Sequence, residues 1–499
     1  MTFLDAFSDM LVDDPARSLL RDARGTFTAD DVYLTAKDIA LHHLGGEELK
    51  GAPVALLAQP GLPYVASLLA VWLCGGMAVP LCVDHPPAEL EYAITESRAQ
   101  VVLCQRKLLP RLPKMRVHIE EIEAVRPPQD AVMPLNLPYP KAAQPALMLF
   151  TSGTTGKPKG VVHTHGALYA QITMLHNAWG WTAADSILHV LPLHHTHGIV
   201  NKLLCALMIG ARCDMRAGFD AADVWPGLAS GHYTLFMAVP TIYAKLIAHW
   251  ESADEEKQQK WSSGVAKLRL MVSGSAALPV SVLEKWKAIT SHTLLERYGM
   301  TETGMVLSNP LHGNRLPGCV GTPLPGNEVR LAAETGEILT TPDAQGELQV
   351  KSPALFKEYW QRPEETKAAF TTDSWFKTGD MAERQSGIYR IAGRISTDII
   401  KTGGYKVSAL EIENALLSHP KVAACAVVGL PDDTWGERVG VAVVKKEVDG
   451  GISIDELREF LADKIAGYKL PSRMVEVANL PRNEMGKLQK NIIKDYFSN

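Results

Sequence analysis

Long uninterrupted apolar runs are missing from this chain of 499 residues, and so is any surplus of positive charge. One stretch, 51–83, carries no charged residue, but Pro53, Pro60, Gly61, Pro63, Gly75, Gly76 and Pro80 punctuate it. A membrane-spanning helix needs roughly 20 consecutive apolar residues. The stretch therefore reads as a strand at 54–58, a helix near 62–74 and a strand at 77–83, a buried parallel β-α-β unit. Lys and Arg number 50 against 55 Asp and Glu, a net charge of −5. That balance argues against a broad electrostatic grip on nucleic acid or anionic membrane. Cysteine is sparse: seven residues, an odd number, with no C-x-x-C pair. A disulfide framework or cysteine zinc site is disfavoured, and a reducing compartment is the expectation. The N-terminus has no apolar core behind a basic start, and Asp5, Asp9, Asp13 and Asp14 argue against a transit sequence, so a cytoplasmic location is expected. Internal repeats and low-complexity linkers are absent from the sequence.

What is present is enough apolar residue, 46%, to bury a large core, over a length that fits two to four domains. Strands alternate with helices: VVLC (101–104), ALMLF (146–150), a helix over 166–178, then LFMAVP and LRLMVSG, each followed by an amphipathic helix. Such alternation predicts an α/β fold, mostly parallel sheets flanked by helices. After about residue 318 short β-prone pieces with Gly and Pro predict a small β-rich subdomain (318–393). From Ser408 the pattern turns mixed, predicting a small α+β C-terminal domain. The expected division is 1–393 for the large N-terminal domain and 397–499 for a mobile lobe, with a short hinge near 394–397.

At the end of the strand ALMLF stands TSGTTGKPKG (151–160), rich in backbone N–H groups, hydroxyls and lysine. Such a loop suits a polyphosphate, whose oxygens amides and hydroxyls can wrap while lysine offsets charge. It is not a Walker A loop, because Gly156-Lys157 is followed by Pro158 and then by the apolar pair Val161 and Val162 rather than by a Ser/Thr opening a helix. Further motifs follow in order: LPLHHTHG (191–198), VSGSAALP (272–279), ERYGMTET (296–303), WFKTGD (375–380), GRISTDIIKTGGYKVSALEIE (393–413) and PRNEMGKLQK (481–490). These seven motifs, in register over nearly the whole chain, resemble the acyl-adenylate-forming (AMP-binding) enzymes, which include acyl-CoA synthetases, firefly-luciferase-like proteins and peptide-synthetase adenylation domains.

The resemblance implies a reaction that joins a carboxylate to ATP, releases pyrophosphate and passes the acyl group from AMP to the thiol of coenzyme A. It implies that Thr151, Ser152, Gly153, Thr154, Thr155, Gly156 and Lys157 cradle phosphates, and that Tyr298 covers the adenine. It implies that Thr301 hydrogen-bonds the α-phosphate and that Glu302 holds Mg²⁺, which is satisfied by one or two carboxylates plus phosphate oxygens. Gly274, Ser275 and Ala276 are small enough for close approach of the purine. Asp380 would take the ribose hydroxyls with Arg394 in support, although taken alone it reads as a turn aspartate. Lys487, after a flexible Gly486, would bridge the carboxylate and the α-phosphate. Between residues 464 and 494 seven Lys/Arg face two Glu, a local cationic surplus in an acidic chain. Ser396 is the hinge candidate. Gly403, Gly404 and Tyr405 would line the pantetheine channel after the lobe turns, or form a hairpin turn.

His194, His195 and His197 invite a metal reading, but without cysteine or acidic neighbours they make a poor zinc signature. The resemblance instead sets His197 beside the acyl pocket. The position before Tyr298, commonly glycine in acyl-CoA synthetases, is Arg297. A guanidinium there blocks a long tail and calls for an anionic partner, for which a second carboxylate on a short substrate is suited. The alternative is an internal pair with Glu296 or another acid. Arg269 is a weaker rival, on the opposite face of its strand. RYGMTE, LPLHHTHGIVN and RLPGCVGTPLPG look like the malonyl-CoA synthetase branch. The expectation is an acid–thiol ligase for malonate or methylmalonate that needs no obligate protein partner. A short-chain or aryl acyl-CoA synthetase is the alternative, and a non-catalytic AMP-binding sensor the alternative of another class.

Overall fold

The computed structural model describes residues 1–123, 140–151, 157–446, 451–483 and 486–497. The uncharged β-α-β unit lies at its centre. Strands Pro53–Leu57 and Met77–Pro80 pair in parallel, joined by the helix Leu62–Leu73, all twelve residues of which are buried. A helix apolar on every side has no face for water and is stable only inside a large core. Here it packs with residues of both large sheets, among them Val54, Leu56 and Ala78 of one and Ile187, Leu235, Met237 and Leu270 of the other.

The first large sheet has seven strands, in the order Glu358–Tyr359, Lys159–Thr164, Pro145–Thr151, Met77–Pro80, Pro53–Leu57, Val101–Gln105 and His118–Ile122. The second has nine, with Leu270–Ser273, Leu235–Ala238, Ser186–His189, Arg212–Met215 and Ser18–Asp22 as its parallel centre. The strand Leu295–Met300 runs parallel to Leu270–Ser273 and antiparallel to Gly304–Ser308. A five-stranded antiparallel sheet over 328–394 forms the β-rich subdomain. The fourth sheet, over 399–476, packs helices Ala409–Leu416 and Ile454–Ala462 around its own core of Ile400, Val407, Val427, Val441 and Leu457. A large α/β domain with mostly parallel central sheets and a small α+β C-terminal domain are thus both present. Several predicted strands run one to three residues long at their C-terminal ends: 77–83 is a strand only to Pro80, and 235–240 only to Ala238. Beyond those points the chain leaves the sheet to form loops, the usual place for ligand sites in parallel sheets.

Candidate active site at the lobe junction

Strand Leu295–Met300 delivers side chains alternately to its two faces. Arg297 is 5% exposed, and its guanidinium lies against Gly274, where a Cβ would meet Cζ at 2.4 Å. The close approach that Gly274 permits within the protein is thus that of Arg297. Nε and Nη2 of Arg297 find no hydrogen-bond partner among the described residues. Glu296 is not the internal acid considered above. It points to the other face, where its carboxylate accepts the Gly318 N–H at 2.9 Å and burial pushes it up to about 8. Burial pushes Arg297 down to about 10, so it remains a cation at neutral pH. Arg269 is accounted for by a bidentate pair with Asp185 at 2.7 and 2.6 Å.

His197 sits within electrostatic reach of Arg297, and its Nδ1 shares a hydrogen bond of 3.1 Å with Ser275 Oγ. Burial first, then the charges of Arg297 and Lys202, hold its imidazole well below the usual range, hence neutral. Ser275 adopts φ +72°, a left-handed conformation costly for a non-glycine residue and concentrated at functional sites. Ala276 follows it, half-buried. Two residues not singled out from the sequence belong to the same region. Asn201, four residues beyond His197 and 1% exposed, has neither amide atom hydrogen-bonded among the described residues. Lys202, fully buried, donates to the carbonyls of Leu188 and Met237 and is pushed by burial down to about 7. Both lie in a π-helical turn, Ile199–Leu204, a local geometry frequent at functional sites. Nothing in periodicity or motif marks such a turn in advance.

Around the phosphate loop, Ser152, Gly153, Thr154, Thr155 and Gly156 lie outside the described residues. Thr151 ends its strand opposite Lys159. The exposed Lys157 reaches over the ring of Tyr92. Lys159 pairs with Glu365 and stands 5.0 Å over the ring of Tyr359, whose hydroxyl donates to Glu302 at 2.9 Å. Tyr359 therefore joins the loop's cation to the buried carboxylate, a link absent from the motif reading. Burial raises the Glu302 carboxyl, with Tyr359 countering. A buried carboxylate with Tyr359 as its hydrogen-bond donor keeps oxygen lone pairs that fit a hard divalent cation. Thr301 is half-exposed in the turn beside it.

Asp380 and Arg394 face each other across neighbouring strands, 3.2 Å apart. Tyr298 donates its hydroxyl to Asp380 at 2.5 Å. Burial raises the Asp380 carboxyl, and Arg394, Tyr298 and the ammonium of Lys487 pull it back. Lys487, from the C-terminal lobe, is thus brought to the large lobe's site. Its loop rests there through Gly486, at φ +74°, where a Cβ would strike Thr241 Oγ1 at 2.7 Å. Ser396 is exposed in the turn between strands Ile388–Arg394 and Ile399–Thr402. In the same turn Asp398 accepts from the Arg394 N–H and is ion-paired with Lys490, whose Nζ also stands 2.8 Å from Glu413. Gly403 and Gly404, both at positive φ, form an exposed hairpin turn, and Tyr405 stacks on Tyr468 at 4.2 Å. In this arrangement they lie on the surface.

The histidines divide. His197 joins the Arg297 cluster, whereas His194 meets Cys82 and His85, residues distant in sequence whose ligand atoms lie within 4.8 Å of its own. The absence of a cysteine partner, assumed from the sequence, is corrected by the fold.

A buried guanidinium, a buried carboxylate linked to Lys159 through Tyr359, and a lysine presented by the C-terminal lobe are the charged groups of this junction. The description "AMP-binding enzyme" matches residues 11–360, and "AMP-binding enzyme C-terminal domain" matches 411–487. The chain belongs to the AMP-binding enzyme family. A malonate–CoA ligase of Homo sapiens is 44% identical over 96% of this chain and 90% of its own length. One of Arabidopsis thaliana is 41% identical over 91% and 79%. Among solved structures, ATP-bound MatB from Rhodopseudomonas palustris superposes with TM-score 0.90 at 30% identity, covering 100% and 99% of the two chains. A malonyl-CoA ligase with methylmalonyl-CoA and AMP bound gives 0.68 at 35%, covering 94% and 97%.

Proposed function

We propose that this chain is an ATP-dependent acid–CoA ligase that activates malonate or methylmalonate. The carrying observation is Arg297: a buried guanidinium with two unpartnered nitrogens, facing His197 rather than an internal acid. A distal carboxylate supplies the missing bidentate partner. The substrate's other carboxylate bonds to the α-phosphorus of ATP as pyrophosphate leaves. The sulfur of coenzyme A then bonds to the acyl carbon, its proton passing to solvent, as AMP leaves.

In this reading Thr151 to Lys157 hold the phosphates, Thr301 the α-phosphate and Asp380, with Arg394, the ribose. Tyr298 covers the adenine beside Gly274 to Ala276. His197, held neutral, positions the acid without adding a competing charge. Lys487 offsets the repulsion between carboxylate and triphosphate, and orientation supplies much of the remaining acceleration. Glu302 would hold Mg²⁺, which when bound neutralises phosphate charge. Ser396 is the hinge, and Gly403, Gly404 and Tyr405 serve the thiol step after rotation of the lobe. The functional division is 1–393 and 397–499.

All seven cysteines are free thiols, and among the described residues no helix is long and apolar enough to cross a membrane. We place the reaction in the cytoplasm, whereas several vertebrate relatives are described as mitochondrial. Fractionation of the native host distinguishes the two.

Pyrophosphate release with acetate, butyrate, malonate, methylmalonate, succinate and benzoate, each with and without coenzyme A, tests the assignment. Malonate or methylmalonate should exceed the monocarboxylates by at least about tenfold, the effect of 1.4 kcal/mol. Equal turnover of butyrate overturns the dicarboxylate reading, and no release with any acid overturns the ligase reading.

A further inference from the structure

Cys82 and His85 follow strand Met77–Pro80 of the seven-stranded sheet, and His194 follows strand Ser186–His189 of the nine-stranded sheet. One Sγ and two ring nitrogens from these residues lie within 4.8 Å of one another. Cys82 is 5% and His194 8% exposed, with His85 half-buried at the outer side. The rings of His85 and His194 meet edge-on at 5.4 Å. His85 Nε2 also stands 3.4 Å from the Glu89 carboxylate. A carboxylate behind a histidine is the usual outer partner of a metal-bound imidazole, fixing its ring and raising its basicity.

We propose that Cys82, His85 and His194 bind a borderline-soft divalent cation of the Zn²⁺ class, with water completing a tetrahedron. The donor set decides the class of ion. One thiolate and two imidazoles suit zinc or its spectroscopic substitute cobalt and are poor ligands for the hard, oxygen-seeking Mg²⁺. The spacing Cys82-x-x-His85 supplies two ligands from one turn of chain. A tetrahedral ion would draw the three atoms to roughly 3.5 Å apart, an adjustment within reach of side-chain rotation. Binding takes the thiol proton of Cys82 to solvent and forms the S–metal bond.

The site has a structural consequence. Both strands end here, so the ion joins a loop of the seven-stranded sheet to a loop of the nine-stranded sheet. Tyr64, from the central buried helix, already donates to the Leu193 carbonyl at 2.8 Å, fixing the backbone beside His194. Three residues further on the same loop is His197. The ion therefore acts as a clip that holds the His194–His197 loop against the first sheet and takes no part in the chemistry.

The test uses tag-free, full-length protein, freed of metal by a chelator and kept in Mg²⁺ without ATP. Titration with Co²⁺ should saturate at one ion per chain, release one proton and produce a thiolate-to-metal charge-transfer band that Zn²⁺ abolishes. Cys82→Ser should lose the band, and His85→Ala and His194→Ala should each weaken binding by about tenfold or more. Cys319→Ser, which changes the one cysteine that is not buried, should keep it. If Cys82→Ser does not fold, His85→Ala at the half-buried edge and the stoichiometry of the unaltered protein carry the decision. Absence of stoichiometric binding, or a band that survives Cys82→Ser or His85→Ala with unchanged affinity, overturns the site.

Discussion

Burying a guanidinium without an anion costs several kcal/mol after relaxation, and Arg297 is in that position until an acid arrives. Strand alternation is the reason its neighbour does not serve. Glu296 and Arg297 are adjacent on one strand, so their side chains leave by opposite faces. Arg297→Ala removes the charge that a distal carboxylate requires while widening the pocket. Activity on malonate is expected to fall by about 100-fold or more, the range for losing a charge-assisted pair, with butyrate changed by less than about threefold. Comparable kcat/KM losses on both acids would sink this assignment. Glu296 yields a separate prediction on stability. Its folded carboxyl, pushed up to about 8, binds its proton more tightly than the unfolded chain does. Its contribution is therefore complete below the ordinary carboxylate range and lost as pH rises toward 8. Glu296→Gln keeps an acceptor for the Gly318 N–H but cannot ionise. It should match the native Tm near pH 5 and exceed it by about 2 °C or more at pH 8.5. Equal Tm differences at both pH values would refute the burial argument.

At the scale of elements, the terminal loop shows what sequence can and cannot convey. Gly486 before Lys487 suggested a flexible loop suited to entering the site; in the fold the glycine has positive φ and lies against Thr241. The helix and strand pairs were legible because each apolar run is either alternating or fully buried. Strand ends were not, since Leu81, Cys82 and Val239 stay buried after leaving the ladder, and burial alone carries the same apolar signature as a strand. Least legible was Lys490. In the sequence it belongs to a basic surplus, yet it is 7% exposed and ion-paired with Asp398 in the turn after Arg394 and with Glu413 of helix Ala409–Leu416. Long-range pairing of this kind leaves no periodic trace. It does tie the turn after Arg394 to the segment that follows Lys487. Lys487→Ala should abolish acid-dependent pyrophosphate release, by about 100-fold or more, while sparing thioester formation from supplied malonyl-AMP. Pyrophosphate release at the native rate would remove Lys487 from the reaction.

At the scale of the whole molecule, the arrangement of the lobes suits the first of the two proposed steps. Lys487 approaches Asp380, and the lobes are further joined by Lys401 and Lys406 on Glu334. The glycine hairpin meanwhile faces outward. Superposition is also better on an ATP-bound relative than on a product complex of higher identity, 0.90 against 0.68. In this arrangement Lys487 is the group set toward Asp380 while Gly403 and Gly404 are exposed, so the proposed second step calls for another orientation of the lobe. Rotation follows as a requirement of the proposed two-step reaction, and it predicts a separation of defects opposite to that of Lys487. Gly404 is the position to use: no atom lies within 4 Å of an added Cβ in this arrangement, whereas one at Gly403 strikes Trp435. Gly404→Ala costs only the strain of positive φ, about 1 kcal/mol, at an exposed turn. Pyrophosphate release in the absence of coenzyme A should therefore stay within about twofold of native. Thioester formation from supplied malonyl-AMP should slow by at least about tenfold, because a methyl group in a narrow channel obstructs the thiol arm at the moment of transfer. If both half-reactions slow equally, the hairpin acts only through the stability of the lobe. If neither changes, the channel passes elsewhere and the rotation must bring a different face to the acyl-adenylate.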